Sequence, residues 1–242
     1  MPEGPSIVIL REALLPFKGA VVNKADGDAA IDFNRLHHKK MLGLKSWGKH
    51  LLLCFDDFFI RIHLMMFGTY RINDPKPSPS RLHLVFKTGE VNFYTCLVAL
   101  IEGKPGDLYD WETDIMSEAW SPAKAENTLK NTPMVKICDV LLNQEVFSGV
   151  GNIIKNESLF NTRMHPESLV KNIPPKKIRE LIRKTLIYSL NFYTWKMEGL
   201  LSKNWHVYEK KICPRCEIPL EKTYLGKTRR LSFFCHQCQI LF

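Results

Sequence analysis

The chain has 242 residues, 45% of them hydrophobic, which is enough to bury one large core or two ordinary ones. Its 34 lysines and arginines against 25 acidic residues give a formal net charge of +9, which favours nucleic acid, an anionic membrane surface or an acidic partner. No apolar run approaches the roughly 20 residues that span a bilayer, and the start, MPEGPSIVIL, lacks the features of a signal peptide. We therefore expect an intracellular protein of the cytoplasm or nucleoid.

The first half of the chain predicts one helix followed by strands. Residues 4–15 have the pattern of an amphipathic helix, with Pro5 in the first turn, where its missing N–H costs nothing. From about residue 19 to 115, short apolar runs alternate with turn residues, which is typical of strands. The clearest predicted strands are 51–55, 58–67, 81–86 and 90–94, the last two joined as a hairpin around Thr88-Gly89; 73–80 is a predicted surface loop.

The second half predicts helices. A polar, proline-interrupted segment at about 117–133 marks a boundary, and apolar residues then recur at helical spacing. The predicted helices cover 134–144, 153–160 and 176–195, and the last has a basic face. We predict three parts: an N-terminal domain at 1–120, a helical domain at 121–205 and a metal-held element at 206–242.

Four of the seven cysteines form a pattern typical of a zinc site. Cys213, Cys216, Cys235 and Cys238 have the spacing C-x2-C-x18-C-x2-C, in which two tight turns aim four sulfurs at one tetrahedral ion. Four thiolates leave no open coordination position, so we predict one structural Zn²⁺ and no organic cofactor. Cys54, Cys96 and Cys138 lie alone in apolar surroundings and are expected to be buried.

A basic segment, Lys227-Thr-Arg-Arg230, lies between the two cysteine pairs. It is either a solvated turn or the tip of a rigid finger that places Arg230 on a DNA phosphate. Zinc ribbons occur in many unrelated proteins, so this element alone indicates only nucleic-acid or partner binding.

The segment Ser148-Gly-Val-Gly-Asn152 lies between two predicted helices. Gly149 and Gly151 allow close approach of a ligand to the backbone, and free N–H groups where Asn152 begins the next helix would suit a phosphate. A plain tight turn between two helices explains these five residues about equally well. The basic helix and the basic finger that follow favour DNA.

Five motifs occur in a fixed order along the chain. They are MPEGP at the start, WGKHLLL at 47–53, HLMMFG at 63–68, SGVGNIIKNESLF at 148–160 and RRLSFFCHQC at 229–238. With these motifs, the sequence resembles the formamidopyrimidine-DNA glycosylase / endonuclease VIII family essentially from end to end.

The resemblance implies an α+β fold. An N-terminal β-sandwich with flanking helices would precede a helical helix–two-turn–helix domain that carries a C-terminal zinc-finger hairpin. Damaged double-stranded DNA would lie in a basic cleft between the domains. The protein is expected to be a monomer that does not bind membranes.

The resemblance also implies base-excision repair by a bifunctional glycosylase and abasic-site lyase. After removal of Met1, Pro2 would supply a secondary amine as the nucleophile, and Glu3 beside it would donate and accept protons. Lys49 would assist the first elimination and bind phosphate, although without the family it would be an ordinary strand-end lysine. Arg230 would support a second elimination, and Asn152 would bind phosphate.

Further DNA contacts follow from the same match. Met65, Met66 and Phe67 align with the wedge that fills the gap left by an extruded base, whereas the isolated pattern favours core packing. Arg81 is also expected to contact DNA.

Two departures bear on activity and specificity. The family usually has a glutamate at the position of Ser6, so turnover is expected to be slower or a product step lost. Oxidised-purine enzymes carry an Arg-x-Phe wedge where this chain has Tyr94-Thr-Cys-Leu-Val98, and Gly4 matches the endonuclease VIII branch. These residues favour oxidised pyrimidines.

Three alternatives remain open. The chain could be an oxidised-purine (formamidopyrimidine or 8-oxoguanine) glycosylase, or a non-catalytic damaged-DNA-binding protein on the same scaffold. It could also be a zinc-ribbon module that binds RNA or protein and does not need the N-terminal motif.

Overall fold

A computed structural model describes residues 2–242, and Met1 lies outside the described residues. The chain divides into two compact units, one ending at Tyr109 and the other spanning Asp110–Phe242. The division into 1–120, 121–205 and 206–242 stays a prediction. Among the residues described, no helix combines the length and the apolar content needed to cross a membrane.

The first unit is the predicted β-sandwich, with one helix packed on it. Helix α1 spans Gly4–Ala13 and packs on β2 and β3, and its Ile7 and Leu10 are fully buried in the core between the sheets. One sheet has the order β1-β6-β7-β5 and the other β2-β3-β4-β8, all antiparallel. The strands are β1 Val22–Asp26, β2 Gly43–Trp47, β3 His50–Cys54, β4 Phe58–His63, β5 Thr69–Ile72, β6 Leu82–Phe86, β7 Gly89–Tyr94 and β8 Leu97–Glu102.

Alternation along β3 and β4 points one set of their side chains into the core between the sheets. Leu51, Leu53, Ile60 and Ile62 point into the core cluster. Because side chains alternate across a strand, the residues between them point to the opposite face of the sheet. This register brings His50 opposite His63.

The predicted strand 58–67 is too long. Strand β4 ends at His63, and the chain then turns so that the Gly68 N–H donates to the Leu64 carbonyl at 2.7 Å. A Cβ at position 68 would lie 2.1 Å from that carbonyl oxygen, so the turn requires glycine. The predicted hairpin 81–94 is confirmed, with Phe86 paired to Gly89, so the turn residues are Lys87-Thr88. Cys96 and Cys138 are buried as expected, but Cys54 is only half-buried because it ends β3.

The second unit is helical and ends in a two-stranded hairpin. Its core forms from residues of all four helices and of the segments between them. The hairpin packs on α4. The elements are α2 Pro122–Lys130, α3 Ile137–Val140, α4 Asn152–Asn161, α5 Pro175–Met197, β9 Glu221–Leu225 and β10 Arg230–Phe234.

The structure of this unit departs from the sequence patterns at two places. The segment at about 117–133, which is polar and interrupted by prolines, contains α2, because the Ser121 side chain caps the helix and Ala125 and Leu129 are buried one turn apart. The predicted helix 134–144 shrinks to the four residues of α3. Beyond it Gln144 braces a turn by accepting from Gly149 N at 3.1 Å and donating to the Leu142 and Val150 carbonyls.

A buried carboxylate ties the segment before the hairpin to α4. Glu157 is fully buried, and its side chain accepts hydrogen bonds from three successive backbone N–H groups, those of His206, Val207 and Tyr208, at 2.8–3.0 Å. Hydrogen bonds to an ionised acceptor are stronger than neutral ones, so this carboxylate fixes residues 206–208 on the helix.

Glu157→Gln should destabilise the second unit by about 2–3 kcal/mol, since glutamine keeps one acceptor oxygen and presents a donor to a backbone N–H. Four of the five tryptophans lie in that unit, so urea unfolding followed by tryptophan fluorescence reports chiefly on it. The exposed Glu118→Gln removes the same charge and serves as control. Equal urea midpoints for the two variants would show that Glu157 has no such role.

Candidate active site and nucleic-acid interface

The start of α1 holds Pro2 and Glu3 in defined positions. Glu3 is the N-cap residue and is fully buried, whereas Pro2 is half-buried. Glu3 and Ser6 form a reciprocal capping box: the Glu3 carboxylate faces the Ser6 N–H, and the Glu3 N–H donates to Ser6 Oγ at 3.5 Å. Ser6, the residue that departs from the family pattern, therefore helps to hold Glu3.

Lys49 lies at the tip of a two-residue turn between β2 and β3. Trp47 pairs with His50, which leaves only Gly48 and Lys49 in the connection. Gly48 has φ of 53°, and glycine at the first central position is the signature of a type II′ hairpin turn. The lysine side chain is half-buried, so the turn projects it from a rigid strand pair.

A basic pocket of about 290 Å³ opens on the outer face of the second sheet. His50 Nδ1 is buried and has no hydrogen-bond partner among residues 2–242. Burial, reinforced by the charges of His63, Arg61 and Lys49, lowers the pKa of His50 from 6.5 to about 4. Burial also lowers the pKa of His63, and the positive charges of Lys49 and Arg61 lower it further. The lining residues are His50, Arg61, His63, Met65, Leu97 and Ala99, none of them acidic.

The predicted wedge residues are exposed. Met65, Met66 and Phe67 expose 46%, 52% and 76% of their surface, so core packing does not explain them. Met65 adopts φ of 52°, and its N–H donates to His63 Nδ1 at 3.1 Å. An L-residue at positive φ costs energy, which that hydrogen bond helps to offset.

The segment 148–152 leads into α4 as predicted, but the side chain of Asn152 makes its hydrogen bond within the protein. Gly151 is the N-cap and Asn152 the first helical residue, and both are buried, as is Gly149. Asn152 Nδ2 donates to the Leu231 carbonyl at 2.8 Å. Asn152 Oδ1 is buried and accepts no hydrogen bond within the described chain.

The hairpin docks on α4 through polar contacts. Lys155, only 1% exposed, donates to Ser232 Oγ at 2.9 Å, and Asn156 Oδ1 accepts from Phe233 N at 3.0 Å. Arg230, half-buried, is the first residue of β10 and pairs with Leu225. Helix α4 therefore sets the position of the strand that carries Arg230.

The four predicted zinc ligands come together. Their sulfur atoms all lie within 4.8 Å of one another, and Cys213 Sγ is 3.8 Å from Cys238 Sγ. Sulfurs that share a tetrahedral zinc at about 2.3 Å lie about 3.8 Å apart, so the cluster fits this ion. Arg215 packs its guanidinium 3.8 Å from the Phe160 ring and donates to Phe160 O, which ties the cluster to α4.

Arg81 makes contacts within the sandwich. Its Nη1 donates to the Asp28 carboxylate and carbonyl, both at 2.9 Å, and its Nε to the Cys96 carbonyl at 3.2 Å. The guanidinium thus makes three hydrogen bonds to residues of the same unit. A DNA contact by Arg81 remains a prediction.

The structure divides the predicted residues between the two units and adds others. Pro2, Glu3 and Lys49 belong to the first unit, and the α4 start, Arg230 and the cysteines to the second. Sequence reasoning missed His50, Arg61 and His63, although a charged residue within the apolar run of β4 was a usable signal. It also missed Lys155, Asn156 and Glu157 of α4, because nothing in the neighbouring sequence marks these polar residues as buried.

Comparison with known proteins identifies the family. Residues 1–96 match the formamidopyrimidine-DNA glycosylase N-terminal domain, and residues 113–189 match the formamidopyrimidine-DNA glycosylase H2TH domain. The chain belongs to the formamidopyrimidine-DNA glycosylase / endonuclease VIII family. This membership agrees with the resemblance drawn from the motifs.

Relatives in this family differ in length. Mouse endonuclease 8-like 3 is 33% identical over 207 residues, covering 81% of this chain and 34% of that protein. The chain spans about a third of the length of the curated endonuclease 8-like 3 relatives. Formamidopyrimidine-DNA glycosylase of Lactobacillus acidophilus is 27% identical over the whole of both chains.

Solved structures of the family share the fold. Lactococcus lactis formamidopyrimidine-DNA glycosylase, non-covalently bound to DNA containing an abasic site, has a TM-score of 0.85 at 22% identity and covers 98% of this chain and 99% of that one. MutM in complex with DNA containing carbocyclic 8-oxo-G has a TM-score of 0.86 at 23% identity, covering 99% and 100%.

The depressed pKa of His50 predicts a pH-dependent stability. Between pH 6.5 and about 4, the unfolded state binds a proton that the folded state does not, so stability falls as the pH falls through this window. His50→Gln removes this loss, so the Tm of the variant should gain on the wild type as the pH is lowered. The exposed His38→Gln is the control, and a constant difference in Tm between pH 7 and pH 4.5 would contradict the assignment.

Proposed function

We propose that this chain excises oxidised bases from DNA and then cleaves the strand, using the amine of Pro2 as nucleophile. The observation that carries the proposal is the start of α1, where a buried Glu3 follows Pro2 within a segment that matches the family's N-terminal domain. The chemistry requires that Met1 be removed, which is efficient before a small residue such as proline.

Each step of the reaction has a residue suited to it. The Pro2 nitrogen would bond to C1′ of the damaged nucleotide while the bond from C1′ to the base breaks. The C1′–O4′ bond would then break, with Glu3 supplying a proton to O4′. The secondary amine thereby becomes an iminium ion, which is cationic without needing a proton and draws electrons from the sugar. Loss of the C2′ proton would break the C3′–O bond, a second elimination would break the C5′–O bond, and water would release Pro2.

Glu3 is the candidate proton carrier. It is adjacent to Pro2 and buried, and its backbone is fixed by the capping box. A general acid or base contributes about 10²–10⁴-fold in rate when it is positioned at the reacting group. Ser6 supplies a hydrogen bond at this cap, which supports activity despite the missing glutamate.

Lys49, Asn152 and Arg230 are the candidate phosphate contacts. Lys49 lies on a rigid two-residue turn beside the basic pocket, and a site without acidic residues attracts anions. Asn152 begins α4, where the N–H groups of a helix N-terminus favour phosphate. Arg230 is proposed to support the second elimination, as the resemblance of its motif to the family implies.

Exposed apolar residues support damaged DNA as the partner, and the lack of one arginine supports a class of lesion. Exposed Met65, Met66 and Phe67 suit a wedge that fills the space left by an extruded base in damaged double-stranded DNA. The lack of an arginine at 94–98 favours oxidised pyrimidines over oxidised purines. We further propose that the protein acts as a monomer inside the cell and needs no organic cofactor.

We infer that the four-cysteine cluster holds one structural Zn²⁺. Its sulfur spacing suits a tetrahedral ion, and four thiolates leave no position for a substrate. The ion would stabilise a hairpin that is too small to fold alone.

Borohydride trapping tests the catalytic proposal. On duplexes carrying an abasic site, thymine glycol or 8-oxoguanine, the purified protein should form a covalent adduct, with thymine glycol processed faster than 8-oxoguanine. Adding one alanine before Pro2 turns its amine into a tertiary amide, so trapping should vanish. Glu3→Gln should slow base release by about 10²–10⁴-fold.

The outcomes separate the alternatives. Tight, salt-sensitive binding to damaged DNA without any adduct would favour a non-catalytic binding protein. Faster release of 8-oxoguanine than of thymine glycol would favour the oxidised-purine alternative. Unchanged nucleic-acid binding after the alanine insertion, with no adduct and equal affinity for RNA, would favour a zinc-ribbon module.

Metal analysis tests the zinc proposal. The protein should contain one zinc per chain, and Cys216→Ser should lower that content because three thiolates bind the ion more weakly. The affinity of the Cys216→Ser protein for abasic-site DNA should fall at least about tenfold, because the hairpin is held less firmly. Cys54→Ser is the matched control outside the cluster, and full-strength DNA binding by a zinc-free protein would contradict a structural role.

A further inference from the structure

The turn of the C-terminal hairpin, which we call the finger tip, consists of residues 226–229. It joins Leu225 to Arg230, the last and first residues of the paired strands. Gly226 has φ of 73° and Arg229 has φ of 45°. A non-glycine residue at positive φ is uncommon, so this tip needs an outside contact to hold its shape.

That contact comes from Asp139 on α3, 88 residues away in sequence. Its Oδ2 accepts a hydrogen bond from Lys227 N at 2.8 Å, and its Oδ1 accepts from Thr228 N at 3.0 Å and from Thr228 Oγ1 at 2.9 Å. One carboxylate thus binds two successive backbone N–H groups and a hydroxyl. Such charge-assisted bonds are the stronger kind.

Gly226 fits the same arrangement. A Cβ at this position would lie 2.4 Å from Asp139 Oδ1, closer than real atoms approach. A side chain at position 226 would therefore displace the Asp139 carboxylate from the tip, so glycine suits this contact.

The charge of Asp139 gives the contact a cost. The carboxylate lies against a tip that contains Lys227 and Arg229 and immediately precedes Arg230. A negative charge beside these residues weakens their attraction for DNA phosphates. An asparagine would fill the same space without this charge, and the tip would then bind DNA better. The hydrogen bonds that the carboxylate accepts from the tip explain why an aspartate lies here.

The rest of the hairpin is held independently of this contact. Lys155 and Asn156 of α4 bind Ser232 and Phe233, and the cysteine cluster lies beyond the strands. Losing Asp139 should therefore leave the hairpin folded and free only its tip.

We propose that Asp139 is a positioning residue that anchors the finger tip and thereby aims Arg230 during the second elimination. The proposal rests on the proposed function, because it assigns Asp139 to a step of that reaction. Asp139 binds the tip backbone and the Thr228 hydroxyl, so it acts through the position of Arg230 and not on the substrate itself.

Three variants of the full chain test it. Asp139→Asn keeps the shape but turns an NH₂ group toward one of the two backbone donors. Thr228→Val removes the hydroxyl bond and no charge. Glu118→Gln, on an exposed residue of the same unit, removes the same charge as Asp139→Asn and is the control.

Single-turnover cleavage of abasic-site duplex gives the main measurement. Asp139→Asn should slow the second elimination at least about tenfold relative to the first, and Thr228→Val should slow it about threefold. Borohydride trapping and the first elimination should stay within about twofold of the wild type. Amide hydrogen exchange at Lys227 and Thr228 should speed up in Asp139→Asn and not in Glu118→Gln.

Two results would overturn the proposal. One is an Asp139→Asn protein that binds DNA more tightly and gives the wild-type ratio of the two products. The other is a wild-type protein that is trapped but never performs the second elimination. If the wild type forms no adduct at all, the proposed function fails, whereas amide protection lost only in Asp139→Asn would still support the anchor.

Discussion

The polar face of α4 is the constraint on which the second unit depends. Every residue of this helix from Asn152 to Phe160 is buried, and five of them are polar residues whose side chains need partners inside the protein. Lys155 and Asn156 find theirs on β10, and Glu157 finds three backbone N–H groups at 206–208. Because a buried polar group without a partner costs more than a bond gains, the helix and the hairpin each require the other in place.

In the first unit, the candidate catalytic residues are also held in place by neighbouring secondary structure. Glu3 is held by the cap of α1, and Lys49 by a two-residue turn that Gly48 permits. Both positions are rigid because strands and helices define them, as precise catalysis demands. The second unit contributes different groups, namely the α4 start, the finger and Asp139. We propose that groups of the first unit make the covalent bond and that groups of the second provide much of the phosphate binding.

The sequence predicts the features that depend on neighbouring residues, and it does not predict contacts between distant ones. The clustering of the four cysteines, most strands of the first unit and the start of α4 after Gly151 are confirmed, because each depends on residues close in sequence. The end of β4 and the length of α3 were misread, since a close turn at Gly68 and the brace from Gln144 override an apolar pattern. The contact of Asp139 with Lys227 joins residues 88 apart, and the pairing of His50 with His63 follows from strand register. Neither is visible without the fold.

Locating the covalent bond tests the central claim most directly. After borohydride reduction of the complex with abasic-site DNA, protease digestion and mass spectrometry would identify the peptide that carries the sugar remnant. We predict that the remnant lies on the peptide that begins at Pro2, on its nitrogen, with Met1 absent. A remnant on Lys49 or on any other lysine, with the Pro2 amine unmodified, would contradict it.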